Sequence, residues 1–458
     1  MEAQSKPPRR RSLMLGNFVH SETREQLGFL LDAAIAVDER GKIVDMDNGS
    51  DDVKTAKKQL LCRLGWDEHD LDVYACRRGQ FFFPGFVDTH VHAAQYPIVG
   101  VFGETSLLDW LDKHVFPCEQ RFADDKVARQ VYTACVRRTL AHGTTTAAYY
   151  ATTHVAATKS LADICLGLGQ RAFIGRVCMD RDLGPAALRD PSTRESLERS
   201  DEVTRYINGR DAQDRLVRPI LTPRFALSCT RKVMSGLDER HREHELPIQT
   251  HMSESPREVE DVARLYPEAG SYAKVYDEHG LLTASTILGH CIHLSEGEAR
   301  LVGERRAKVS HCPCSNSALG SGEARPFDPG GGQAGGPRQQ TPGDEGPGRG
   351  GAQTGQPLGR AGLVSGHERY LATRGGAKVV GLEHTVGGFQ VGMDWDAQLV
   401  GLHVVGGGGE GEHKDSGNVD LFEWDLCNWK TIVAKWVYNG DDRNTKMVWV
   451  KGRRVHKR

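Results

Sequence analysis

Short apolar runs broken by polar and glycine positions fill residues 13–44, LMLGNFVHSETREQLGFLLDAAIAVDERGKIV, and this texture predicts small antiparallel strands. From Phe81 the pattern changes. GFVDTHVHAAQ (85–95), GTTTAAYY (143–150), RAFIGRVCM (171–179), VRPILTPRF (217–225), LPIQTHMSE (246–254), STILGHC (285–291) and AKVSHC (307–312) form seven strand candidates. Between them, stretches such as 124–141 and 257–266 carry charged and apolar residues at the spacing of amphipathic helices. Repeated strand and helix predicts an α/β fold, either a TIM (β/α)8-type barrel or a doubly wound sheet. No glycine-rich phosphate loop follows any strand candidate, which argues against the nucleotide-binding form of the second. The tail returns to short strands at 387–400 and 446–455, so both termini are expected in one small β domain.

Polar residues interrupt the apolar runs at their C-terminal ends, where barrel enzymes build their sites: His90, His92, Arg224, His251, His290 and His311. In the first run Asp88, His90 and His92 fall at alternate positions and are expected to share one face of a strand. A His-x-His pair alone fits two hydrogen-bonded imidazoles as well as it fits a metal. His251, at another strand end, supplies a third imidazole, and three neutral imidazoles suit zinc or iron with positions left open for water. Glu254, just past that strand, would alone be read as a surface carboxylate, but beside His251 it is read as a proton shuttle, and His290, in GHC at a strand end, as a group that supports the ligands or polarises the substrate rather than a core histidine. Cys312 and Cys314 flank one proline and do not make the P-C-x-x-C zinc signature, so they are assigned to packing.

Composition narrows the partners. Over 458 residues the net charge is −2, and apart from Arg9, Arg10 and Arg11 the basic residues are dispersed, which favours a small-molecule substrate and no nucleic acid or membrane partner. Eleven cysteines without framework spacing, no secretory signal and no apolar run of about 18 residues predict a cytoplasmic protein.

PGFVDTHVHAAQ, QTHMSE, GHC and HCPCSN, in this order, resemble the amidohydrolase superfamily of metal-dependent hydrolases and deaminases. LLDWLDKHVFPCEQRF (107–122), GQRAFIGRVCMD (169–180), LTPRFALSC (221–229) and YNGDDRN (438–444) are similar to its guanine deaminase family. The resemblance implies a distorted TIM barrel of the amidohydrolase kind with a β-sandwich from both termini. Its expected boundaries are a disordered 1–12, a sandwich part at 13–80, the barrel at 81–322, an aberrant segment at 323–369, a barrel helix remnant at 370–386 and the rest of the sandwich at 387–458. It further implies one zinc ion, ahead of iron, on His90, His92 and His251. Glu254 and His290 match catalytic positions. Gln95, Arg224 and Phe225 match guanine-binding positions, with His92, His251 and Glu254 also facing the substrate. The implied reaction is hydrolysis of guanine to xanthine and ammonia by a homodimer. The alternatives are an aminohydrolase for another purine, pterin or triazine, and, in a different class, a catalytically silent scaffold.

The resemblance stops after Gly322 and resumes at Tyr370. In residues 327–360, 12 of 34 positions are glycine and 5 are proline, so no helix or central strand is expected there. The family's eighth barrel strand, with its metal-binding aspartate, belongs in this interval, and neither Asp328 nor Asp344 sits at a strand end. An incorrect gene model, such as a wrong reading frame or a retained intron, accounts for this better than a real linker in a degenerate, inactive relative, because the other site residues are all kept. The barrel as written is expected to lack its eighth strand and to be poorly soluble or inactive.

Overall fold

The computed structural model describes residues 10–103, 105–322, 369–406 and 417–458. The N-terminal strands are β1 (Ser12–Ser21), β2 (Leu27–Val37), β3 (Ile43–Asp47), β4 (Asp72–Ala75) and β5 (Gln80–Pro84). β1 pairs antiparallel with β2 and parallel with β4 and β5. β5 belongs to this terminal sheet, which therefore runs to Pro84 rather than residue 80. Its run Phe81–Phe82–Phe83 does not alternate with polar residues because both faces of the sheet are covered. Phe82 packs with Phe18, Trp395 and Trp449 on one side, and Phe81 and Phe83 pack with Trp436 on the other.

Nine parallel segments follow: β6 (Phe86–His92), β7 (Thr144–Tyr150), β8 (Arg171–Gly175), β9 (Val177–Cys178), β10 (Val217–Pro219), β11 (Thr222–Pro223), β12 (Ile248–Met252), β13 (Thr286–His290) and β14 (Lys308–Ser310). β8 with β9 and β10 with β11 are each one strand with a short break, so these are the seven strands expected from the sequence. They pair in chain order, β6 to β7 to β8 to β10, then β9 to β11, a bridge from Leu221 to Ile248, and β12 to β13 to β14. Helices such as Asp125–Ala141, Val155–Leu168, Thr193–Arg210 and Arg231–His244 connect them. Asp124 caps the first of these by accepting the backbone N–H of Lys126, which fixes where the helix begins.

The first and last strands of this series, β6 and β14, meet through Thr89 Oγ1 and Ser310 Oγ at 2.6 Å. Among the described residues no backbone ladder joins them. The helical stretch 371–379 packs against both strands, and a Cβ on Gly376 would lie 2.8 Å from the Val87 carbonyl, so only glycine admits this approach. The expected irregular course of 327–360 lies outside the described residues, as does most of the expected disordered N-terminus; of the latter, Ser12 already opens β1.

The chain then returns to the terminal sheet with β15 (Ala397–Gly401), β18 (Thr445–Val450) and β19 (Arg453–Lys457), while β16 (His403–Val404) and β17 (Asp420–Leu421) form a separate pair. β15 lies between β5 and β18, giving the order β19-β18-β15-β5-β1-β2-β3. The two ends of the chain therefore share one sheet. A buried ionic cluster ties that sheet to the parallel strands. Arg171, at the start of β8, donates from Nε to Asp396 at 3.1 Å and from one NH2 group to Asp394 at 2.8 Å and Asp396 at 3.1 Å.

Candidate active site

The functional side chains gather at the C-terminal ends of the parallel strands, but not all those expected from β6 point there. The ladder between β6 and β7 slips between Asp88 and Val91. Asp88 pairs with Ala147 and Val91 with Tyr149, so one extra residue of β6 is accommodated in between. Because the strand period is two, the extra residue reverses the facing. Asp88 shares the face of Ala147, which packs in the helix layer with Cys135, while His92 shares the opposite face with Tyr150. The expectation that Asp88, His90 and His92 form one row is corrected accordingly. Burial pushes the Asp88 carboxyl up to about 7, against the hydrogen bond it accepts from the His90 backbone N–H.

The four histidines converge. His92 Nε2 lies 2.9 Å from His251 Nε2, and the His90 ring centroid is 4.8 Å from that of His251 and 5.0 Å from that of His92. One ligand atom from each of His90, His251 and His290 lies within 4.8 Å of the others, a grouping able to hold a metal ion. His290 thus joins a cluster that the sequence reading had assigned to His90, His92 and His251. Burial, reinforced by neighbouring imidazoles, lowers the pKa of His90, His92 and His251 well below the usual value, so all three are neutral, the form that binds metals. The His251 tautomer is set by its partner. Nδ1 is 2.6 Å from the Arg224 carbonyl, which only accepts, so Nδ1 carries the hydrogen and Nε2 offers its lone pair to the cluster. Buried His90 Nδ1 has no hydrogen-bond partner among the described residues. This donor set fits a transition metal.

Glu254 stands beside the cluster, 3.3 Å from His290 Nε2. His290 Nδ1 is 2.8 Å from Asn316 Oδ1, which orients the ring. Desolvation raises the Glu254 pKa to about 8, with the Arg224 charge acting the other way. The backbone around Glu254 is fixed by the helix that follows. In the Ser255/Glu258 capping box of Pro256–Leu265, Glu258 accepts the N–H of Glu254 at 2.7 Å and that of Ser255 at 3.3 Å. At the end of β13, His290 and Cys291 both have positive φ, +70° and +55°, so the chain turns at once and leaves the imidazole facing Glu254.

A cavity of about 930 Å³ opens on these groups, lined by Gln95, Trp110, Arg224, Phe225, Glu254 and His311 among others. It is at the upper end of the range for small-molecule sites because it also runs past Asp88 towards Arg138 and His142. Every site residue expected from the sequence borders this one space. Three that the sequence reading did not assign contribute to it or support it. The Tyr150 ring stacks on His92 at 4.6 Å, Asn316 holds His290, and Glu119, on the helix Phe116–Gln120, holds Arg224 through two hydrogen bonds of 2.7 and 3.1 Å. The signal for Glu119 was a lone carboxylate closing the otherwise apolar run VFPCE.

The Amidohydrolase family model matches residues 81–326 and 368–455. The chain belongs to the amidohydrolase family. Its relatives include a probable guanine deaminase of Schizosaccharomyces pombe, 39% identical over 97% of this chain and 83% of that protein. The guanine deaminase of Rattus norvegicus is 36% identical over 98% of both chains. Among solved structures, the guanine deaminase of E. coli superposes with a TM-score of 0.75 at 25% identity, covering 98% of this chain and all of that one. Among the described residues no helix is long and apolar enough to cross a membrane.

Proposed function

We propose that this chain hydrolyses guanine to xanthine and ammonia with the help of one metal ion, zinc by the chemistry of its imidazole ligands. The observation that carries the reading is the wall of Gln95, Arg224 and Phe225 on the same cavity as the histidine cluster and Glu254. Its support is the set of guanine deaminases to which the chain is similar. His90, His92 and His251 would hold the metal, with His290 at its edge, and the bound ion supplies the Lewis acidity that makes water a nucleophile near neutral pH. Arg224 and Gln95 hydrogen-bond the edges of the base and the Phe225 ring packs on its face, which brings C2 towards Glu254. Glu254 takes one proton of the attacking water and gives it to the ring nitrogen beside C2, then takes the second from the new C2 hydroxyl and gives it to the leaving amine as the C2 carbonyl forms, with His290 holding the carboxyl in line. The seven parallel strands in chain order support a TIM-type barrel of the amidohydrolase kind as the frame.

The direct test follows xanthine and ammonia released from guanine before and after chelation. Guanine turnover that is lost on chelation and restored by zinc is expected; turnover of another aminated ring but not guanine would remove the substrate assignment. Gly289→Ala is expected to weaken metal retention about tenfold or more, since an added Cβ would meet the His90 ring at 2.7 Å. Metal analysis after dialysis measures this, and full retention would show that His90 is not held at that spot.

A further inference from the structure

We propose that Glu119 is the positioning residue that sets the hydrogen-bond polarity of the base-binding wall, an inference that rests on the guanine reading above. Glu119 is 1% exposed and lies behind the cavity rather than on it. Its two oxygens take both polar side chains of the wall. Arg224 donates from NH1 to Oε2 at 2.7 Å and from NH2 to Oε1 at 3.1 Å, and Gln95 Nε2 donates to the same Oε1 at 3.3 Å. The Phe116 ring beneath the guanidinium, 5.3 Å from its centroid, adds a second restraint.

The consequence follows from what a carboxylate can do. It only accepts, so the Gln95 amide must turn Nε2 to Glu119, which takes one of its two N–H groups and leaves the carbonyl oxygen, with the second N–H, for a ligand. Arg224 has only donors, and the N–H groups not taken by Glu119 remain for the same ligand. One buried carboxylate therefore makes the wall an acceptor at Gln95 beside donors at Arg224. That order selects a ring with an amine or ring N–H on one edge and a carbonyl or bare ring nitrogen on the next, the arrangement of a 2-amino-6-oxopurine. Without Glu119 the amide is free to turn over and present a donor, and the two side chains no longer share one anchor.

The test is steady-state kinetics of the full chain on guanine, with metal content measured alongside. Glu119→Gln is expected to raise KM by about tenfold or more, with kcat within about threefold of wild type and the metal retained. Glu119→Asp keeps the counter-charge for Arg224 but withdraws the carboxylate by one methylene, so it is expected to raise KM in the same way, and it decides the matter where the glutamine variant is recovered unfolded. A KM within about threefold of wild type in either folded variant overturns the proposal, as does a fall in kcat or metal content at unchanged KM. A wild-type chain that releases no xanthine from guanine overturns the functional reading itself, and this inference with it.

Discussion

Replacing Glu254 with glutamine is expected to lower kcat on guanine by about 10²–10⁴ while the bound metal stays in place. The substitution keeps the size of the side chain and a hydrogen-bonding group beside His290 Nε2, which stands 3.3 Å from the carboxylate. What it removes is a group that can take up and release a proton, and the reaction needs one to travel from water to the ring and the leaving amine. The imidazoles proposed to hold the metal are untouched, and the backbone N–H of Glu254 still donates to Glu258, so the loop keeps its course. Turnover rates with metal content measured on the same samples separate the cases. Activity within about tenfold of wild type would remove Glu254 from the proton path, and loss of metal along with activity would make it a ligand instead.

Arg171→Met is expected to destabilise the fold by about 3–5 kcal/mol. The guanidinium is buried and faces two carboxylates, Asp394 and Asp396, that are buried as well. Removing it leaves two anions with little solvent beside each other, and the repulsion falls where β8 meets the segment leading into β15. Lys42 reaches Asp394 at 2.7 Å and the Lys451 backbone N–H reaches Asp396 at 2.7 Å, so part of the charge stays compensated. Arg171→Lys is expected to recover only part of the loss, because one ammonium cannot reproduce the fork that meets both carboxylates. Denaturant unfolding read by tryptophan fluorescence is suited to the question, since Trp395, between the two aspartates, packs with Trp449 of β18 close to the cluster. A loss below about 1 kcal/mol for Arg171→Met would place the cluster among pairs that contribute little.

The position of the site was legible because strand ends announce themselves. An apolar run that closes on a histidine or arginine says where the chain leaves the sheet, and His90, His92, Arg224, His251 and His290 were all found this way. What one residue faces was less legible. Asp88 and His90 are two apart and should share a side, but the slip in the β6 ladder inserts a residue and sends the aspartate into the helix layer. A bulge leaves no mark in the pattern of apolar and polar residues. Glu119 and Asn316 escaped assignment for a different reason, since a side chain that holds another side chain matters through contacts far away in the chain. Glu119 reaches Arg224 across 105 positions, and nothing at either end of that interval names its partner.

The sequence by itself determined the run of seven strands, the helices between them and the polar residues at the strand ends. These are local matters of period, capping and apolar run length, and each is decided by residues close together in the chain. Tertiary structure alone decided that His290 joins the imidazole cluster, that Asp88 leaves it, that Arg171 ties β8 to the segment before β15 and that one carboxylate anchors both Gln95 and Arg224. Each of these depends on a distance between residues far apart in the chain, and the periodicity of a single strand or helix carries no information about such distances.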